Sequence, residues 1–207
     1  MSENETDKAE LLQKRSEWSN WIVMAVIILC FVVIIRSRQT RQGGVVAPGQ
    51  QGKVLSRLQL QPLTGNGQPK TLADLTGKVV LLNFWGPWCP PCHQQIPHIA
   101  AIEREFNGRS AFCVLSVSCG RERNWKENLG KLRDDTNRLL DENNLTLNTY
   151  ADPSGVSRKA VDTAIGFDGY PTTLVLNRLG QISGVWVGYR PGIEHEIELR
   201  VAELLAD

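Results

Sequence analysis

The sequence predicts an α/β domain, a central mixed sheet flanked by helices, carried behind an N-terminal transmembrane helix. Three observations predict it. Residues 21–35 are apolar without interruption. Farther on, apolar runs of strand length alternate with helical patterns and end in a hairpin. A Cys-x-x-Cys pair, Cys89 and Cys92, falls where one such strand gives way to a helix.

The 207 residues, 42% hydrophobic, suffice for one ordinary domain with appendages. With 23 basic and 22 acidic side chains the net charge is +1, too weak a field to suggest nucleic acid as a partner. Five cysteines at irregular spacing do not form the framework of a small disulfide-stapled domain, and an odd count leaves at least one thiol over.

Residues 1–17 form a polar tail and residues 18–36 the expected anchor. Trp18 and Trp21 stand at one end of the apolar run, Arg36 and Arg38 at the other, an aromatic belt facing a basic collar. From Trp18 to Ile35 a helix spans ~27 Å, enough for a hydrocarbon core if the arginines snorkel. Ser37–Arg41 offers no small-x-small cleavage pattern, so the segment is expected to be retained. Lys8, Lys14 and Arg15 before it balance Arg36, Arg38 and Arg41 after it, so charge does not orient it. Residues 37–56, with Gln, Gly and Pro48, read as a flexible tether, and residues 57–207 as the folded domain.

Thr71–Gly77 is a turn-rich approach to Lys78–Phe84, whose near-continuous apolar run suggests a strand buried on both faces. A helix is expected over Gln94–Phe106 and a second apolar strand over Ala111–Val117. Arg121–Asn143, with leucines at 129, 132, 139 and 140, reads as an amphipathic surface helix broken or kinked near Gly130. There follow a strand at Thr146–Tyr150, a short helix at Ser157–Ile165 and strands at Thr172–Leu176 and Gln181–Val187 joined through Asn177–Gly180. A helix over Ile193–Leu205 closes the chain.

Disulfide exchange needs a thiolate that is reachable and whose charge is stabilised. A helix N-terminus supplies unpaired N–H groups and the positive end of a dipole, so Cys89 is placed to attack. Pro90 and Pro91 fit the first turn, where no intrahelical donor is lost. Cys92, one turn in, is the shielded resolving thiol.

The run Val79–Cys92, with Pro97 five residues on and Gly169-Tyr170-Pro171-Thr172-Thr173 later, resembles the membrane-anchored thioredoxin-like thiol-disulfide oxidoreductases that include the TlpA-like and cytochrome c maturation reductases. The resemblance covers residues 57–205. It implies a thioredoxin-like fold and a cis Pro171 beside the dithiol, with the Tyr170 backbone pairing with a substrate strand. It also implies no cofactor apart from the redox-active Cys89–Cys92 disulfide. The partners it implies are proteins with disulfides and a membrane or periplasmic thiol electron donor. The implied setting is a single-pass bacterial inner membrane protein with its domain on the periplasmic side, reducing exported proteins such as apocytochrome c. The family often has a glutamate where Gln95 stands, and thioredoxin itself an aspartate where Asn83 stands. An amide cannot take a proton from Cys92, so resolution turns to water or a partner group.

Other classes fit less of the chain. Cys89-Pro-Pro-Cys-His93 also matches the c-type haem attachment pattern, but Met1 and Met24 lie outside the domain and His98 shares the helix of His93, which leaves His195 as distal ligand. Copper or zinc delivery through the two thiolates and His93 lacks a second Cys-x-x-Cys to close the site. A peroxiredoxin-type peroxidase needs no such pair. An isomerase or oxidant is the nearest alternative in the same class, and a non-catalytic binding module the one outside enzymes.

Of the remaining cysteines, Cys30 reads as a small hydrophobe of the anchor and Cys113 as core. In the fold that the resemblance implies, Cys119 emerges at the edge from which the dithiol projects, which makes it a candidate third thiol. It lies ~20 Å along an extended strand from Cys113, too far to bond it. His93 is a candidate modulator of Cys89. Trp85 and Trp88 are expected to form an apolar collar and the walls of a groove for an extended partner segment.

Overall fold

The structure, a computed structural model, describes Met24, residues 50–121 and residues 128–207. Contacts divide the chain into Met1–Gln42 and Gly43–Asp207, and the architecture below is that of the second unit. The expected anchor lies outside the described residues except for Met24. Among the described residues no helix is long and apolar enough to cross a membrane.

The strands are β1 (Gln59–Thr64), β2 (Lys70–Thr71), β3 (Val79–Trp85), β4 (Phe112–Ser118), β5 (Thr149–Ala151), β6 (Thr172–Leu176) and β7 (Ile182–Val187). The helices are α1 (Pro90–Glu105), α2 (Leu129–Glu142), α3 (Val156–Ile165) and α4 (Ile193–Ala206). The strands form one mixed sheet in the order β2-β1-β5-β4-β3-β6-β7. β3 and β4 pair in parallel, β3 and β6 antiparallel, so the ends of β3 and the start of β6 meet at one edge. Parallel pairing of consecutive strands demands a crossover, and α1 is that crossover.

β3 is buried along its whole length, as its apolar run implies. Its side chains alternate between two cores. Val79, Leu81 and Trp85 join one with Ile96, Ile99, Ile197 and Val201 of α1 and α4, whereas Val80, Leu82 and Phe84 join the other with Leu115, Val161 and Leu174. β6 and β7 close on a turn in which Asn177 Oδ1 accepts from the N–H groups of Leu179 and Gln181, each at 3.0 Å. Gly180 takes φ +74° there, a conformation that L side chains rarely adopt.

Two sequence expectations change. The tether gives way before residue 57: the Gly52 N–H donates to the Ile182 carbonyl at 3.1 Å, the Ile182 N–H donates to that of Lys53 at 2.8 Å, and Leu55 is buried. The helix expected from Arg121 begins instead at Leu129, capped by Asn128, whose side chain accepts from the Lys131 N–H; residues 122–127 lie outside the described residues. Gly130 therefore sits in a first turn, and the expected interruption falls two residues before it, at the extended Asn128, rather than as a kink.

Candidate active site

Cys89 is the N-cap of α1, in extended conformation, with Pro90 and Pro91 as the first two helical residues. Its carbonyl accepts from the N–H groups of Cys92 and His93 at 3.0 and 3.3 Å, and its own N–H donates to Gly86 at 3.0 Å. Cys89 and Cys92 form a disulfide with their Cα atoms 5.3 Å apart. Cys89 keeps 4% of its surface and Cys92 none. The expected unpaired N–H groups are absent from the first turn, since Pro90 and Pro91 have none and those of Cys92 and His93 are spent on the Cys89 carbonyl, so the helix dipole is what acts on Cys89, the more accessible of the two residues. The peptide bond between Tyr170 and Pro171 is cis, and it opens β6 beside the end of β3.

Trp88 is the collar residue. Its Nε1–H donates to the Cys119 carbonyl at 2.9 Å, its ring meets that of Tyr170 edge-on at 5.4 Å, and the Arg121 guanidinium lies 5.4 Å from the ring centroid. Gly86 allows this packing, since a Cβ there would stand 2.5 Å from Trp88 Nε1 and 2.9 Å from the Cys119 oxygen. Trp85, expected as a second wall, is instead wholly buried in the core that holds Cys89 and Cys92, donating from Nε1 to Ser116 Oγ at 2.8 Å. It supports the dithiol from below and lines no groove, because the last residue of a fully buried strand points its side chain into the core.

His93 is exposed, and its Nε2 bonds the Pro87 carbonyl at 2.6 Å. Because a carbonyl only accepts, that nitrogen is the donor, and the imidazole ties the helix start to the loop before Cys89. Cys119 follows β4 at the expected edge, but its side chain is buried. The Tyr170 hydroxyl is a hydrogen-bonding neighbour of it, so it offers no open third thiol in this form. Burial is the main cause holding the Tyr170 phenol above its ordinary range, followed by Cys119, with Arg158 opposing. Cys113 is half-buried rather than core, its thiol pushed up chiefly by burial.

Asn83 and Gln95, both buried, meet each other: Asn83 Nδ2 donates to Gln95 Oε1 at 2.8 Å and to Thr173 Oγ1 at 2.9 Å. Thr173 thus joins the site, two residues after Pro171. The sequence reading missed it, and also missed Arg158 and Asp152, which form a buried ion pair with Nε to Oδ2 at 3.4 Å. No periodicity marks either one, since an arginine in a short helix ordinarily reads as solvated.

The arrangement is a cysteine pair at a helix N-terminus, Cys89 less buried than Cys92, flanked by a cis-proline loop and an indole. The family model described as Redoxin matches residues 48–200. The thioredoxin-like protein YneN of Bacillus subtilis is 27% identical over 150 residues, covering 72% of this chain and 79% of the relative. The thiol-disulfide oxidoreductase ResA of Halalkalibacterium halodurans is 25% identical over 185 residues, covering 85% and 89%. Among solved structures, one of a putative thiol:disulfide interchange protein DsbE from Chlorobium tepidum has a TM-score of 0.57 at 24% identity, over 75% of this chain and 97% of that one, a likeness of fold. A structure of a putative thioredoxin from Neisseria meningitidis has a TM-score of 0.53 at 26% identity, over 75% and 95%. The chain belongs to the Redoxin family, as a thioredoxin-like thiol-disulfide oxidoreductase.

Proposed function

We propose that this oxidoreductase works as a reductase of disulfides in exported or membrane proteins, oxidised apocytochrome c among them. In this reading residues 18–36 hold it as a single-pass protein in a bacterial inner membrane, with the domain on the periplasmic side. The observation that carries the mechanism is the unequal burial of the two cysteines at the helix start, Cys89 4% exposed as the N-cap and Cys92 0% one turn in.

The Cys89 thiolate attacks one sulfur of the substrate disulfide. The other leaves as a thiolate and takes a proton, and a mixed disulfide joins Cys89 to the substrate. Cys92 loses its proton and attacks Cys89 Sγ, which releases the second substrate thiol and forms the Cys89–Cys92 bond. Two electrons and two protons pass to the substrate, and a membrane or periplasmic dithiol donor returns them. Trp88 and the peptide before Pro171 receive the extended substrate segment, and His93 steadies the loop before Cys89.

The test of direction is the equilibrium potential of the Cys89–Cys92 couple against glutathione. A value well below about −200 mV supports a reductase, and one near about −120 mV makes the chain an oxidant.

A further inference from the structure

Asp152 and Arg158 stand at the start of α3, their side chains 0% and 1% exposed. Asp152 Oδ2 accepts from the Arg158 N–H at 2.8 Å, and its Oδ1 accepts from the Ser157 N–H at 3.3 Å, so the carboxylate caps the helix as well as facing the guanidinium. Arg158 Nη2 donates to the Asp152 carbonyl at 2.8 Å. These contacts fix the plane of the guanidinium and leave Nη1 directed elsewhere, to the Tyr170 hydroxyl at 3.5 Å.

Tyr170 joins this pair to the dithiol. It packs against both cores, including the one that contains Cys89 and Cys92. Its ring lies edge-on to Trp88 at 5.4 Å and to Phe167 at 5.2 Å, and its peptide bond to Pro171 is the cis one. Trp88 precedes Cys89 directly. A buried guanidinium carries a desolvation cost that an apolar side chain in α3 would avoid. A side chain kept there is explained by what it holds, and beyond Asp152 it reaches the phenol under the rim.

We propose that Arg158 is a positioning residue: through the Tyr170 hydroxyl it holds Trp88 and the Tyr170–Pro171 peptide in the arrangement that receives a protein disulfide. The chemistry at sulfur does not pass through it. Its effect falls on how well an extended polypeptide is bound.

The test uses the full chain in detergent micelles, insulin as the protein disulfide and dithiothreitol as reductant. Tyr170→Phe keeps the ring and removes only the hydroxyl. The expected result is a KM for insulin raised about fivefold with kcat changed less than about twofold, and no large loss of thermal midpoint. Arg158→Lys moves KM the same way. The double variant resembles the stronger single one rather than the product of the two, because both remove the same link. Tyr170→Phe also removes the hydroxyl's contact with Cys119, so it is read beside Cys119→Ala, which leaves Arg158 in place and is expected to leave KM unchanged; should Arg158→Lys not fold, this pair decides, and a Cys119→Ala effect equal to that of Tyr170→Phe would overturn the proposal. An unchanged KM in Tyr170→Phe, independent effects in the double variant, or a fall in kcat that tracks unfolding would each overturn the proposal. The proposal rests on the reduction of protein disulfides described above. If that reading fails, the unaltered chain does not reduce insulin, whereas failure of this proposal leaves the unaltered chain active.

Discussion

Asn83 on β3 and Gln95 on α1 meet under the first turns of the helix that bears the dithiol, with Asn83 Nδ2 donating to Gln95 Oε1 at 2.8 Å. Asn83 Oδ1 and Gln95 Nε2 have no protein partner among the described residues, so each amide is half satisfied. Neither side chain titrates. Placing a carboxyl at Gln95, which is 1% exposed, introduces a group whose pKa desolvation raises above its ordinary ~4.3. Gln95→Glu is therefore expected to add an ionisation to the pH–rate profile of disulfide reduction that the unaltered chain does not have. Single-turnover rates from about pH 5 to pH 9 check this, and superimposable profiles would mean that position 95 does not communicate with Cys92.

Gly86 is fixed by close approach. A methyl there must displace the Trp88 indole or the backbone after β4, since the nearest atoms would be 2.5 and 2.9 Å away. Gly86→Ala is expected to cost about 1–3 kcal/mol in urea unfolding and to shift the indole fluorescence as the bond to the Cys119 carbonyl is lost.

The Asp152 carboxylate is buried with the Arg158 guanidinium and caps α3. Removing it leaves a buried cation without its carboxylate. Asp152→Ala is expected to lower unfolding free energy by about 3–5 kcal/mol, measured by chemical denaturation, far more than loss of a surface ion pair.

Glu103, half-buried on α1, has its carboxyl raised to about 7 by burial. The unfolded chain ionises this group near its ordinary value of 4.5. Between these values the folded protein holds the extra proton, so stability is highest below the lower value and falls as pH rises through the upper one. With partial solvent screening the loss is about 1 kcal/mol. Glu103→Gln is expected to flatten this slope between pH 4.5 and about 7, leaving the variant the more stable of the two above that window. Equal slopes by thermal melting would place the titration elsewhere.

β3, α1, and the pair β6 and β7 were legible because local pattern decides them: an unbroken apolar run, a Cys-x-x-Cys with prolines in the first turn, and two strands around Asn177–Gly180. β1 was not. Its Gln59–Thr64 holds Pro62, which argues against a strand. The structure accommodates it with a register shift between Pro62 and Thr64 against β5. The site divides in the same way. Cys89, Cys92 and Pro171 follow from motif and resemblance. Trp85 bonds Ser116 on the neighbouring strand, Cys119 lies against the Tyr170 hydroxyl, and Arg158 reaches a loop twelve residues away. Those are tertiary relations, which neither periodicity nor spacing encodes.

Cys89 and Cys92 divide the labour of attack and resolution, and mechanism-based trapping separates the two roles. Full-length Cys92→Ser and Cys89→Ser are incubated with an oxidised protein substrate, quenched with acid, and mapped by mass spectrometry. Mixed disulfides are expected on Cys89 in the Cys92→Ser protein, at least ~10-fold more abundant than any adduct on Cys92 in the Cys89→Ser protein. Equal trapping on both cysteines, or preferential trapping on Cys92, would contradict that division.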